Sequence, residues 1–286
     1  MSCRPLSSRA GRHTRANPVT LLITSLQNPR VKDVVALRDH RERLRSGLMR
    51  VEGYEELEFA LASGARPQSL FFCPELFKNG EQARLIEAAR HLGSELIEVS
   101  QRVFEKMAYR DNPDGWLAIL PALAASLTDL CLGSSPMVVV AEAVEKPGNL
   151  GAMLRTADAA GVDALIASAP LTDWSNPNIV RSSKGALFCV PVATADNGTT
   201  LAWLRSHAIR IVAATPQATT TYTEADLRGP IAIAVGSEKH GLSQEWLDAA
   251  DVRVRIPMSG RVNSLNVATA AALLIYEAVR QRSSSS

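Results

Sequence analysis

Three short segments concentrate the side chains able to do chemistry. The first is Pro147-Gly-Asn-Leu-Gly-Ala-Met-Leu-Arg155. Its Gly148 and Gly151 permit a tight turn and close backbone approach. Asn149 is placed to cap the helix that follows, and Arg155 emerges among the small residues Gly151, Ala152 and Ala159. The second is Gly236-Ser-Glu-Lys-His-Gly-Leu242, where terminal glycines suit a backbone wrapped round a ligand and Glu238 offers an acceptor. His240, between Lys239 and Gly241, reads more readily as a surface residue than as a general base. The third is Arg255-Ile-Pro-Met-Ser-Gly-Arg-Val-Asn-Ser-Leu-Asn266, in which Ser264 could cap a final helix and Asn266 could satisfy its first-turn donors. No segment carries the G-x-G-x-x-G dinucleotide fingerprint or a Walker lysine.

Each segment follows an apolar run of strand character, the place where open α/β sheets bind ligands. Met137–Val144 reads as a buried strand, with a loop over residues 145–151 and a helix to Ala160 that stops at Gly161. Ala164–Ala167, Ile209–Ala214 and Ile231–Val235 have the length and branching of interior strands. Ser264–Arg280 reads as the closing helix, with Leu265, Ala268, Ala272, Ile275 and Val279 on one face. Strands alternating with helices predict a doubly wound parallel sheet over residues 137–282. Upstream, helices are expected over Val31–Arg45, Glu52–Ala62 and Gly80–Leu92, and strands over Ser69–Cys73, Leu96–Val99 and Trp116–Leu120. These make a smaller α/β unit over residues 19–120, joined to the second by a linker over 121–136 that has some helical character.

The 286 residues, 46% of them hydrophobic, suffice for two ordinary domains. Apolar runs fall far short of the roughly 18 residues a membrane span needs. Cys3, Cys73, Cys131 and Cys189 are scattered, with neither a C-x-x-C pair nor clustered histidines. That supports neither a metal site nor a disulfide framework and makes the cytoplasm the default compartment. The net charge of +2 hides an asymmetry. Residues 1–50 hold eleven Lys/Arg and three Asp/Glu, a net of +8, so the remainder carries −6. Part of the excess lies in a basic arm over residues 1–18, and Ser283–Ser286 reads as a frayed tail. Arg38, Arg41, Arg43, Arg45 and Arg50 crowd together, either as a solvated helix face or as a surface for nucleic-acid phosphates.

The order and content of the three segments resemble the SpoU/TrmH family of RNA ribose 2′-O-methyltransferases, within the SPOUT class. N-x-G-x-x-x-R-[ST]-A is matched by Asn149, Gly151, Arg155, Thr156 and Ala157. G-x-E-x-x-G-L is matched by Gly236, Glu238, Gly241 and Leu242. The third motif is matched by Ile256-Pro257-Met258, Gly260 and Ser264-Leu265-Asn266-Val267. Val180–Ala186 is also family-like. Asn28-Pro29, Arg50–Gly53 and Gly115–Ala118 are similar to the family's accessory substrate-binding domain.

The resemblance implies a trefoil-knotted parallel-sheet methyltransferase domain, preceded by a smaller α/β RNA-binding domain. It implies S-adenosylmethionine as methyl donor, held by backbone at Gly236, Ile256 and Leu265. It assigns Arg155, Asn149, Glu238, Ser264 and Asn266 to the catalytic constellation, in a homodimer that shares its active sites. Arg155 serves either as the base or as a stabiliser of the developing alkoxide, since a guanidinium with a pKa above about 12 resists deprotonation. No metal is called for and no membrane partner is expected. Large-subunit ribosomal RNA is the expected substrate. Transfer RNA, or a non-catalytic ribosome-associated role, is the alternative.

Overall fold

The computed structural model describes residues 21–78, 82–123 and 125–284, so the basic arm falls outside the described residues. The first half builds one five-stranded sheet. Its strands are β1 (Leu21–Ile23), β2 (Leu48–Glu52), β3 (Ser69–Phe72), β4 (Glu95–Val99) and β5 (Trp116–Pro121). They run in the order β1-β4-β3-β5-β2, with β1, β4 and β3 mutually parallel and β5 antiparallel to both neighbours. Among the described residues five α-helices accompany them: α1 (Pro29–Ala36), α2 (His40–Ser46), α3 (Tyr54–Ala62), α4 (Gln82–His91) and α5 (Gln101–Met107).

The helix expected over Val31–Arg45 is therefore two. The first ends at Ala36 with Leu37 as its C-cap, and Asp39 starts the second, its carboxylate accepting from the backbone N–H of Arg41 at 2.8 Å and of Glu42 at 3.4 Å. The helix expected from Glu52 starts two residues later. Leu48–Glu52 pairs with β5 instead, and Gly53, at φ 114°, makes a turn that a side chain would strain.

The second half builds a seven-stranded, wholly parallel sheet in the order β10-β12-β9-β11-β6-β7-β8. Its strands are β6 (Met137–Glu142), β7 (Ala164–Ser168), β8 (Val192–Ala195), β9 (Arg210–Ala214), β10 (Thr220–Thr221), β11 (Ile231–Val235) and β12 (Val252–Arg255). The helices are α6 (Pro147–Ala160), α7 (Pro177–Ser183), α8 (Asn197–Ser206), α9 (Gln244–Ala249) and α10 (Val267–Ser283). Every residue of β6, β7 and β11 is buried, as parallel strands covered on both faces require. The helix α6 stops where expected, at Gly161 in the left-handed region with φ 67°. Ser283 belongs to α10 rather than to a frayed tail, its hydroxyl donating to the Val279 carbonyl.

The two halves share packing. One continuous hydrophobic core contains Met49, Leu57 and Trp116 from the first together with Val139, Leu154, Ile179 and Leu274 from the second. The expected linker docks on the edge of the larger sheet, with Leu127 buried and the Ala125 carbonyl accepting from Thr194 N–H at 2.9 Å.

Candidate functional site

β6 lies beside β11, the middle strand of the larger sheet, where the strand order turns back, so the segments after β6 and β11 open side by side. Pro147 occupies the first turn of α6, where its missing N–H costs nothing, and Lys146 is the N-cap. The loop expected over residues 145–151 is thus largely helix, and Asn149 is not the cap but lies inside the first turn. Its side chain is left free for other partners.

Those partners come from the other two segments. Asn149 donates through Nδ2 to Glu238 Oε1, and its Oδ1 accepts from Asn266 Nδ2 at 3.1 Å. Asn266 also caps α10, its Oδ1 accepting from the N–H groups of Ala268 at 3.0 Å and Thr269 at 3.3 Å. One amide therefore fixes the last helix and extends a relay Asn266–Asn149–Glu238 that joins all three segments. The cap expected at Ser264 is absent: that residue lies exposed in the loop, and the helix begins three residues later.

Arg155 is exposed on α6. It lies six residues beyond Asn149, about 240° around the helix and about 9 Å along it, so the two side chains leave different faces. The relay and the guanidinium are not joined within one chain. Gly236 is buried where the second loop folds back, and a Cβ there would collide with the backbone of Gly241 and Leu242. The loop is closed further by Gly241 N–H donating to the Ser237 carbonyl at 2.9 Å and His240 N–H donating to Ser237 Oγ at 3.1 Å. Ile256 packs against the core, while Met258, Val262 and Leu265 on the third loop are exposed. A loop carrying exposed apolar side chains, with its end pinned by Asn266, suits a ligand with a planar apolar part. Among the described residues no three His, Cys, Asp or Glu side chains gather as a metal site would need.

Of the arginine run, Arg43 and Arg50 are buried, whereas Arg38, Arg41 and Arg45 remain exposed. Arg38 Nη2 caps α5 by donating to the carbonyls of Lys106 at 3.0 Å and Ala108 at 2.6 Å. Arg45 pairs with Glu42. Arg50 and Glu52 are a buried pair at 3.0 Å, and burial pushes the Arg50 guanidinium down to about 10 although Glu52 opposes the shift. Arg43 is 3% exposed and grips Asp173 of the second half through Nε at 3.1 Å and Nη2 at 2.6 Å. Asn178 Nδ2 donates to the Tyr109 hydroxyl at 3.0 Å across the same junction.

Sequence reasoning passed over Glu142, the last residue of β6, which is 4% exposed. Its Oε1 accepts from Asn197 Nδ2 and its Oε2 from Ser243 N–H, both at 2.7 Å. A carboxylate ending an otherwise apolar strand was the available signal.

Residues 136–276 match the SpoU rRNA Methylase family, and residues 28–118 match an MRM3-like substrate binding domain. The chain is 36% identical over 267 residues to an uncharacterised tRNA/rRNA methyltransferase of Synechocystis sp., covering 91% of this chain and 94% of that one. It is 28% identical over 254 residues to the 23S rRNA (guanosine(2553)-2′-O)-methyltransferase of Bacillus subtilis, covering 89% and 97%. The crystal structure of an AdoMet-bound rRNA methyltransferase from Sinorhizobium meliloti superposes with a TM-score of 0.85 at 30% identity, covering 91% and 98%.

Proposed function

Since the chain belongs to the SpoU rRNA methylase family and 2′-O-methylates RNA with S-adenosylmethionine, we propose that its substrate is a ribose of large-subunit ribosomal RNA. The observation that carries the reading is the relay Asn266–Asn149–Glu238, which closes the three motif segments into one site. Similarity along nearly the whole chain to the 23S rRNA enzyme favours ribosomal over transfer RNA.

In this reading residues 137–282 form the methyltransferase domain, knotted by the passage of α10. Residues 19–120 form the RNA-binding domain and residues 121–136 the linker. The protein works in the cytoplasm, where ribosomal RNA is. Backbone at Gly236, Ile256 and Leu265 holds the methyl donor, and the exposed Met258 and Leu265 give its adenine an apolar surface. When bound, it supplies a methyl group already activated by a positively charged sulfur.

The chain's own contribution is alignment and charge control. Holding two reactants in line supplies roughly 7–11 kcal/mol of a barrier. Asn149, Glu238, Asn266 and Ser264 position the ribose and the donor. Arg155, a poor base, stabilises the alkoxide that develops as the hydroxyl attacks and gives up its proton to water. Because Arg155 and Asn149 leave different faces of α6, the complete site takes the guanidinium from a second copy of the chain. The outward face of α10 offers the dimer surface, a largely apolar groove of about 460 Å³ lined by Tyr222, Thr269, Ala272, Leu273, Tyr276 and Glu277.

The test is transfer of labelled methyl to size-separated RNA. Label in the large ribosomal RNA supports the reading, and label only in transfer RNA overturns the substrate assignment.

A further inference from the structure

We propose that Glu142 is a positioning residue that sets the place of the Gly236–Leu242 loop and thereby the affinity for the methyl donor. This rests on the reading that the loop holds that donor. The carboxylate is buried at the carboxyl end of β6, an interior strand, and no Lys, Arg or His among the described residues forms an ion pair with it. A buried charge is costly unless donors compensate it. Here the donors are two, and each belongs to a different element. Asn197 Nδ2 opens α8 and is itself held by Ser168 Oγ, which donates to Asn197 Oδ1 at 2.7 Å from the end of β7. Ser243 N–H is the N-cap of α9 and the first residue after the loop.

The loop is internally closed, by the Ser237 contacts and by the absence of room at Gly236. It therefore moves as a unit, hung from β11 at one end and from Ser243 at the other. The bond from Ser243 N–H to Glu142 ties that second end to β6, the strand that leads into the segment bearing Asn149. Both sides of the Asn149–Glu238 bond are thus referenced to one strand. Ser243 is at φ −66°, a value proline adopts, and proline there removes the N–H and puts its ring against the Glu142 carboxylate, so the tie to β6 is lost.

What the position requires is an acceptor for Ser243 N–H, not a charge. Glutamine at 142 keeps one: its carbonyl accepts from Ser243, and its amide donates to Asn197 once that side chain turns over. Alanine keeps none.

The experiment measures S-adenosylmethionine affinity calorimetrically, with thermal unfolding alongside, on the full chain and four variants: Glu142→Gln, Glu142→Ala, Ser243→Pro and Gly236→Ala. The expected order is wild type and Glu142→Gln within about threefold, with Glu142→Ala and Ser243→Pro weaker by about tenfold or more. Gly236→Ala, which forces the loop open, is weaker still. Should Glu142→Ala fail to fold, Ser243→Pro removes the same bond and carries the test. Normal affinity in Ser243→Pro together with loss in Gly236→Ala overturns the role of Glu142 alone. Normal affinity in Gly236→Ala overturns the assignment of the loop itself. Loss in Glu142→Gln equal to that in Glu142→Ala shows that the charge, not the acceptor, matters, and overturns the positioning account.

Discussion

Replacing Asp173 with asparagine isolates the ion pair that ties the first half to the second. Arg43 is 3% exposed, and its guanidinium spends Nε and Nη2 on Asp173 and Nη1 on the carbonyls of Leu37 at 3.2 Å and Arg38 at 2.9 Å. Asparagine keeps one acceptor but turns an amide NH₂ toward the buried cation. Breaking a fully buried pair by removing one partner costs roughly 3–5 kcal/mol. Asp173 is 20% exposed, so water reaches the pair and lowers the expected cost to about 2–3 kcal/mol. For a chain of this size that is a fall in Tm of about 4–6 °C, at about 2 °C per kcal/mol.

The pH dependence follows in sign. Burial alone would raise the Asp173 carboxyl, but hydrogen bonds from Arg43 and His40 outweigh it and hold the group below its ordinary value. A depressed carboxylate contributes stability that is present above its unfolded pKa, about 3.9, and lost as pH falls through the folded value. The wild-type and Asp173→Asn unfolding curves therefore stay apart above the unfolded carboxyl value and converge in stronger acid. The assay is calorimetric unfolding of Asp173→Asn, Arg43→Met and the double variant, with donor affinity and RNA turnover measured in parallel. Donor affinity is expected unchanged and RNA turnover reduced. A Tm change under 1 °C, or an Asp173→Asn effect that persists undiminished beside Arg43→Met, refutes the reasoning.

Arg155→Ala should remove methyl transfer by a factor of about a hundred or more while leaving donor affinity within about threefold, read by labelled transfer and calorimetry. Gly151→Ala puts a methyl group within 2.8 Å of Ser182 Cβ and 2.9 Å of Ser183 N, so α6 and α7 must separate. A loss of about 1–3 kcal/mol in denaturant unfolding is expected, and Ser182→Ala should not restore it, because the backbone contact remains. If the groove along α10 seats the second copy as proposed, Tyr276→Asp places a charge there and should shift the protein to a monomer in light scattering while it keeps its secondary structure.

The inner strands of the larger sheet, β9, β11, β6 and β7, were readable because they are near-continuous apolar runs, whereas β8 and β10, short and partly polar at the two edges, were not foretold. Gly161 and Asn266 were readable as punctuation for the same reason: each satisfies groups within its own turn. What escaped is what depends on distant partners. Pro147-Gly-Asn reads as a turn, yet it starts α6 and releases Asn149 to reach residues 89 and 117 positions away. The arginine cluster reads as free charge, yet Arg38 and Arg43 end on groups 68 and 130 positions off. Short α5 was missed because seven residues give too little periodicity.

The hydrophobic core that runs from Leu57 through Ile179 to Leu274 bears on how such enzymes diversify. Had the halves been beads on a string, exchanging the first between relatives would alter RNA preference at no structural expense. Instead, the face of α7 and the Asp173 turn belong to the first half as much as to the second. A chimera drawn at the linker should expose apolar surface and aggregate. One that transfers residues 21–121 together with 170–188 should fold, and the inheritable unit of specificity is then discontinuous in the chain.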